Sequence, residues 1–514
     1  MRFWHLPIQY QSETDVPTNR MLSLLPLPGF TGLMQPWTAP PRFSKTSEPL
    51  MNLVTYLLEQ ITTGWNPVFA QERSLQRVLA LAFGILCGVG KRTVTRAISF
   101  HGNAQKDWSA DYKVFSRSKW EPRALFNPIL EQAIAQEKLS AIVVSTDDTR
   151  VWRNGKHVPQ TQWHRDPLGP PFQTNLRWGH RFLQASLVLP LYLQDKESSS
   201  RSIPVRFEMA PVVKKPGKRA SEQERADYRR LKKEKNLSVQ FVALTQELRE
   251  HLNQSGHAQK PMIQVGDGSF CNRTVFKQDW TAQNVTLVVR CRKDIVLCKR
   301  APGKGPRFYG KTKFTPEEVR QRPSLARWQK AVIFHGGCYR EVRYKELTKI
   351  YWQGGAKKRE VRLLVVAPVG YRTTKKGRKY YHKAAYLLTT DLTTSAVELL
   401  QAYFDRWGIE VNHRDEKEII GVGEAQVWNR QSVSKVPALL VAMYSWLILA
   451  GLHCYGPKRT QDYQPLPKWR RAAKRPSCLD LITLLRRQMV DKPVSFANAQ
   501  APSTYATMVT AAAA

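Results

Sequence analysis

The stretch Ala141-Ile-Val-Val-Ser-Thr-Asp-Asp-Thr149 decides the fold of this chain, because an apolar run of strand length ends there in two adjacent carboxylates. A second such run, Met262-Ile-Gln-Val-Gly266, leads directly into Asp267. Short apolar runs bounded by turn residues are typical of buried strands. An aspartate at a strand end often only forms a turn, so a third element is needed before these residues indicate chemistry.

A polar helix supplies that third element. Between Ala402 and Lys417, five polar or charged side chains fall on one face of a helix with about 3.6 residues per turn. These residues are Tyr403, Arg406, Glu410, Arg414 and Lys417. A merely solvated face explains the charges but does not need the tyrosine. Carboxylates from two strands and a helix form a suitable ligand set for two Mg²⁺ ions, which can assist phosphodiester displacement.

The order of the remaining patterns predicts a mixed α/β fold. Three strand-like runs lie between residues 139 and 213, and residues 219–252, which lack Gly and Pro, have the pattern of one long helix. Residues 271–392 are mostly β in pattern, and helices resume near Ser395. A β-rich block therefore interrupts the α/β core.

The charge of the chain indicates a polyanionic partner. The 514 residues include 80 Lys+Arg and 41 Asp+Glu, for a formal net charge of +39. Residues 268–400 hold 29 basic and 9 acidic residues, which leaves +20 in that segment alone. Its basic runs alternate with aromatic residues, a combination that suits phosphate neutralisation and base stacking. Among these cations we single out Lys375, Lys376, Arg378 and Lys379.

A second candidate DNA-binding element lies near the N-terminus. An apolar helix pattern from Leu75 to Leu86 is followed by a Gly88-Val-Gly90 turn and a short basic helix. This arrangement suits a helix-turn-helix whose second helix enters a DNA groove, although two packed helices with a basic face have the same pattern. The candidate DNA contacts are Lys91, Arg92 and Arg96.

The longest apolar run, Val436 to Leu452, predicts a buried core helix because it contains Pro437, Tyr444 and Ser445 and is shorter than a usual membrane span of about 20 residues. We therefore expect no membrane partner. The seven scattered cysteines include no C-x-x-C pair, which favours a reducing, cytoplasmic location.

The spacing Tyr403-x2-Arg406-x3-Glu410-x6-Lys417 resembles the Tyr-Arg-Glu-Lys signature of bacterial insertion-sequence transposases with an RNase H-like DDE catalytic domain. The resemblance covers roughly residues 139–452. It implies metal ligation and catalysis by Asp148, Asp267 and Glu410, with Tyr403, Arg406, Arg414 and Lys417 contacting DNA. Successive strand residues face opposite ways, so only one of Asp147 and Asp148 should reach the metals. The Asp-Thr pairing of the family favours Asp148.

What the resemblance implies is a transposase that binds the terminal inverted repeats of its element, cleaves there and joins 3′ ends to target DNA. Mg²⁺ would be the cofactor, two ions per site, with Mn²⁺ as a substitute. The partners would be double-stranded DNA of the element ends and target, and a second copy of the chain in a synaptic homodimer. The protein would be bacterial and cytoplasmic, associated with the nucleoid when bound. Some members hold a flipped base with a Trp of the insertion, for which Trp328 and Trp352 are both candidates.

The predicted architecture is an RNase H-like mixed sheet interrupted by a β-rich insertion, with helical N-terminal and C-terminal regions. Its predicted parts are an extended arm (1–50), a helical DNA-binding domain (51–136), the catalytic core (137–270 and 393–453), the basic insertion (271–392) and a basic C-terminal region with a disordered tail (454–514). Two alternatives remain. One is a metal-dependent nuclease of the same fold, and the other is a catalytically inactive DNA-binding protein derived from a transposase.

Overall fold

The computed structural model describes residues 52–136, 139–166, 169, 175–303, 306–372, 377–470 and 473–491. The predicted N-terminal arm, the C-terminal tail, Lys375 and Lys376 lie outside these residues. The chain divides into two compact units. In the smaller unit the described residues form a hairpin within 370–382, and all other described residues belong to the larger unit.

The central part of the large sheet has the strand order of an RNase H-like domain. Its strands are β1 (Ile142–Trp152), β2 (Gln162–Arg165), β3 (Leu176–Leu189), β4 (Arg201–Met209), β5 (Met262–Gly266) and β6 (Val285–Arg290). β3 pairs antiparallel with β1 and with β4, whereas β5 runs parallel to both β1 and β6. The spatial order β4-β3-β1-β5-β6 follows, which confirms the predicted mixed α/β fold.

The basic β-rich segment continues this same sheet. It contributes β7 (Leu297–Arg300), β8 (Tyr309–Phe314), β9 (Gln329–His335), β10 (Cys338–Tyr351), β11 (Glu360–Val366) and β14 (Ala385–Thr389) to this sheet, whereas β12 (Gly370–Arg372) and β13 (Lys379–Tyr381) form a separate two-stranded hairpin. β14 pairs antiparallel with β6, and β11, β10, β7 and β8 follow outward. Pairing with β14 covers the edge that β6 would otherwise expose. The sheet therefore runs without a break across residue 271, where the insertion was predicted to begin.

Helices cover the sheet and form the two ends of the chain. They are α1 (Leu53–Trp65), α2 (Glu72–Cys87), α3 (Val94–Phe100), α4 (Trp108–Ser116), α5 (Asn127–Ala135), α6 (Glu222–Glu234), α7 (Leu237–Leu252), α8 (Arg273–Phe276), α9 (Pro316–Gln321), α10 (Ala396–Asp405), α11 (Trp407–Glu418), α12 (Ser432–Tyr455) and α13 (Cys478–Asp491). The one helix predicted over 219–252 is two. Helix α6 ends at Glu234, and Asn236 caps the start of α7, where its side chain accepts a hydrogen bond from the Val239 amide at 2.9 Å.

Helix α12 is the centre of the core. It has 24 residues, so by length and composition it could cross a membrane, and it is longer than the apolar run that predicted it. Yet 89% of its most apolar window is buried inside the structure. It packs against α1, α2, α13 and β4, and this burial on several sides explains why it is apolar all round.

Helix α13 offers a matched pair of leucines that tests this packing. Leu481 is 1% exposed and lies close to Gly451 of α12, whereas Leu479 of the same helix is 51% exposed. Leu481→Ala should lower the free energy of unfolding by about 2–5 kcal/mol, because it leaves a cavity in the core. Leu479→Ala should change it by less than about 0.5 kcal/mol. Urea denaturation followed by circular dichroism measures both, and equal midpoints for the two variants would contradict this docking of α13.

Candidate active site

The parallel pairing of β1 and β5 brings Asp147, the neighbour of the predicted Asp148, close to the predicted Asp267. Thr146 lies opposite Gly266 in the register, so Asp147 and Asp267 follow at neighbouring positions. The Asp267 carboxylate accepts hydrogen bonds from the Ser269 amide at 2.9 Å and from the Ser269 hydroxyl at 2.5 Å, which fixes its orientation. Burial and then the charge of Asp267 raise the pKa of Asp147, as expected for two carboxylates that lie close together.

Two helices carry the remaining candidates, and they meet at Arg406. The single polar helix predicted over 402–417 is divided into α10 and α11, but the backbone of Arg406 keeps right-handed helical angles (φ −49°, ψ −29°). The i, i+4 relation to Glu410 is therefore preserved, and Arg406 Nη2 donates to Glu410 Oε1 at 2.9 Å. Arg406 Nη1 also donates to Asp147 Oδ2 at 3.3 Å. One guanidinium thus joins the carboxylate of β1 to that of α11.

The tandem aspartates of β1 face opposite ways, as strand alternation requires. Asp147 contacts Arg406, whereas Asp148 forms an ion pair with Arg150 at 3.2 Å. Burial raises the pKa of Asp148, and Arg150 and Arg181 oppose this effect. These contacts favour Asp147 over Asp148 as the β1 carboxylate that joins Asp267 and Glu410. The alternation was visible in the sequence, but the side on which α11 packs was not.

The structure brings some of the other predicted site residues to this group. Tyr403 is buried, and its pKa, raised by burial, is also affected by the charges of Arg406, Glu410 and Asp267. Lys417 lies within electrostatic range of both Asp147 and Asp148. Arg414 instead donates to the neighbouring Asp415 at 2.9 Å and 3.2 Å, with its side chain half exposed. The structure therefore gives Arg414 a carboxylate partner outside the group.

The chemistry of this group suits hard divalent cations, because Asp147, Asp267 and Glu410 offer only oxygen ligands. Three carboxylates against the one guanidinium of Arg406 leave an excess of negative charge. Within the part of the chain that the structure describes, however, no three His, Cys, Asp or Glu side chains are grouped as they are around a bound metal ion. Arg406 contacts two of the three carboxylates, and in this arrangement it supplies the neutralising charge.

Comparison with known proteins identifies the family of this chain. The sequence model of the family described as DDE superfamily endonuclease matches residues 67–359, more than half of the chain. The chain belongs to this family. DNA is accordingly the substrate class of this endonuclease, and its relatives generally use divalent metals. The matched range includes both aspartate strands but ends before Tyr403, so it leaves the Tyr-Arg-Glu-Lys signature untested. A search of curated proteins found no match.

The N-terminal DNA-binding candidates of the endonuclease lie at the start of α3. Lys91 and Arg96 are exposed, and Arg96 Nη1 donates to the Val89 carbonyl at 2.7 Å. Arg92 is oriented inward instead: its amide donates to the Glu424 carboxylate, and burial together with Arg486 lowers the pKa of its side chain. The glycine turn therefore docks on the loop that follows α11, and Lys91 and Arg96 are the better-exposed candidates.

The remaining candidates lie in the β-rich segment. Arg378 and Lys379 belong to the hairpin of the smaller unit, in which Lys379 lies over the Tyr381 ring at 5.3 Å. Trp328, 38% exposed, lies beneath Arg343 and Lys345, whereas Trp352 packs edge-on against Phe276 at 5.4 Å. Of the two tryptophans, Trp328 is the more available to a DNA base.

Glu416, next to Lys417, predicts a pH dependence of stability. Burial raises the pKa of Glu416 to about 8 from an ordinary value of 4.5, although Gln184 donates to its carboxylate. The folded state binds this proton more tightly than the unfolded chain. The resulting stabilisation is complete below pH 4.5 and is lost as the pH rises to about 8.

Glu416→Gln should therefore gain stability relative to the parent as the pH rises through that window, because glutamine stays neutral. The midpoint of thermal unfolding, measured at intervals between about pH 5 and pH 8, gives the comparison. The exposed neighbour Glu418→Gln is the matched control, and its curve should run parallel to that of the parent. A parallel curve for Glu416→Gln as well would contradict the assignment of a bound proton.

Proposed function

We propose that this protein is a DDE transposase that binds the terminal inverted repeats of its insertion sequence, cleaves there and joins the 3′ ends to target DNA. One observation carries the proposal. Arg406 joins the carboxylates of Asp147 and Glu410 beside Asp267, so residues from β1, β5 and α11 that are distant in sequence form one acidic group at a sheet edge. The i, i+4 spacing of Arg406 and Glu410 thereby allows their ion pair.

In this proposal Asp147, Asp267 and Glu410 hold two Mg²⁺ ions, for which Mn²⁺ can substitute. When bound, the ions would activate the attacking oxygen and stabilise the leaving oxygen. The sequence favoured Asp148, and we replace it with Asp147 because Asp147 contacts Arg406. Tyr403 and Lys417 lie beside the carboxylates and would orient the phosphate, while Arg406 fixes the positions of Asp147 and Glu410.

Transposition also needs two element ends in one complex, so we propose a homodimer on paired ends, active in a bacterial cytoplasm and associated with the nucleoid when bound to DNA. The family description favours a second candidate, an endonuclease that cleaves DNA without joining strands. A supercoiled plasmid target separates the two, because only the transposase inserts labelled end DNA into it.

Loss of any of the three carboxylates should abolish cleavage. Asp147→Asn, Asp267→Asn and Glu410→Gln should each reduce the rate by at least about two orders of magnitude, since each removes a carboxylate that would hold the metal ions. Labelled end DNA incubated with Mg²⁺ or Mn²⁺ measures this rate. Glu59→Gln, an exposed acid of α1, is the control and should cleave as the parent does. Cleavage by all three variants at the parental rate would reject the site, and metal-independent binding without cleavage by the parent would indicate an inactive relative.

The basic hairpin of the smaller unit predicts the salt dependence of DNA binding. Replacing Lys375, Lys376, Arg378 and Lys379 with Gln should flatten the slope of log affinity against log salt. The change should be about 0.9 for each phosphate that is no longer neutralised, because fewer counterions are released. Fluorescence anisotropy at several salt concentrations measures the slope. Replacing Lys232 and Lys233, which lie in the last turn of α6, should leave it unchanged. An unchanged slope in the fourfold variant would move the main DNA contact elsewhere.

A further inference from the structure

The reverse side of β1 carries a second charged group, separate from the carboxylates. Asp148 and Arg150 share the face opposite Asp147, and the register places Arg181 of β3 directly across from Arg150. Arg150 Nη2 lies 3.2 Å from Asp148 Oδ2, and Arg181 Nε donates to the Ala210 carbonyl at 3.0 Å. A neighbouring strand adds His164, whose pKa is lowered to about 4 by burial and then by Arg150 and Arg181.

Cations exceed anions in this group. Asp148 is the carboxylate that faces Arg150 and Arg181, and Lys417 of α11 lies within electrostatic range of Asp148 and Arg150. On this face of β1 two guanidinium groups therefore lie beside the one carboxylate of Asp148, and His164 remains neutral at physiological pH. The buried Nε of Arg150 has no hydrogen-bond partner among the described residues, so a donor remains for a further ligand.

The pairing of the strands makes this group accessible from the carboxylate side. The parallel register between β1 and β5 ends at Thr146 and Gly266, but β1 continues to Trp152 paired with β3 alone. Beyond Thr146, β1 therefore has an edge without a paired strand in the described part of the chain. Asp147 lies on one face of this part of β1 and Arg150 on the other, so a DNA strand at this edge would be near both side chains.

We propose that Arg150 and Arg181 bind a backbone phosphate of the DNA next to the one that is cleaved, and that Asp148 is a positioning residue for Arg150. Guanidinium groups suit this ligand because they donate paired hydrogen bonds to phosphate oxygens. The tandem aspartates then have different functions: Asp147 belongs to the metal-binding carboxylates, and Asp148 orients a cation. This inference rests on the proposed function, because it assumes that the cleaved DNA strand lies at Asp147.

The test measures DNA and metal binding by the full-length protein without cleavage. End duplex is bound in Ca²⁺, and fluorescence anisotropy gives the affinity at several salt concentrations. Arg150→Gln and Arg181→Gln should each weaken binding by about tenfold to a hundredfold, the usual effect of losing a hydrogen bond to a charged group. Loss of this contact should also flatten the salt slope, by at most about 0.9 for the one phosphate. Arg150→Lys should keep the salt slope, because it keeps the charge. Arg229→Gln of the exposed α6 is the control and should bind as the parent does.

Metal binding separates the two aspartates. Titration with Mn²⁺, followed by electron paramagnetic resonance, should show that Asp148→Asn binds Mn²⁺ as the parent does but binds end duplex less tightly. Asp147→Asn should lose Mn²⁺ binding. Loss of Mn²⁺ binding in Asp148→Asn, with DNA affinity intact, would overturn the positioning role. Parental affinity and salt slope in both Arg150→Gln and Arg181→Gln would overturn the phosphate site.

The failure of the proposed function has a different outcome. A parent protein that never cleaves end DNA, but whose affinity still falls with Arg150→Gln and Arg181→Gln, would support the phosphate site and reject the transposase. Urea denaturation followed by circular dichroism, with a midpoint equal to that of the parent, establishes that a variant keeps the fold. If Arg150→Gln does not fold, Arg150→Lys provides a second measurement at this position.

Discussion

The ion pairs of Arg406 are the interaction on which the candidate site depends. A carboxylate in the middle of β1 and another on α11 would repel each other, and their burial would raise that cost. The guanidinium of Arg406 lies between Asp147 and Glu410 and offsets this repulsion. Its position at the junction of α10 and α11 also explains why the helix break does not separate the signature residues. The same residue therefore holds the carboxylates of Asp147 and Glu410 near each other.

The sheet provides the second constraint. Its parallel centre, β1-β5-β6, would expose an unpaired edge at β6, and the basic segment covers that edge by adding β14 and the strands beyond it. Much of the positive charge of the chain is thereby attached to the same rigid sheet that carries the aspartates, rather than to a flexibly linked part. Under the proposed function the two kinds of charge have separate tasks: the cations would hold the DNA, and the carboxylates would hold the metal ions.

The sequence was sufficient for the α/β fold, because apolar runs of strand length and the helix pattern are local signals. It also located the core helix α12 and the strand that ends directly before Asp267, but β1 does not end at Asp147: it continues to Trp152, paired with β3. It was not sufficient for long-range pairing. Nothing local in Val285–Arg290 distinguishes a core strand parallel to β5 from the first strand of an insertion. The break at Asn236 was missed because a polar residue in a charged stretch fits a helix as well as a cap.

The choice between Asp147 and Asp148 shows the limit most clearly. Strand alternation predicts that the two side chains point to opposite faces of the sheet. Which of them lies near Glu410 depends on the face on which α11 packs. That packing joins residues more than 250 positions apart, as in the hydrogen bond between Arg406 and Asp147. The residue two positions after Asp148 was informative in a different way. Arg150 shares a face with Asp148, so an ion pair on that side was predictable from spacing alone. Asp148 has a charge partner nearby in the sequence, Arg150, whereas Asp147 forms its ion pair with Arg406, which is distant in the sequence.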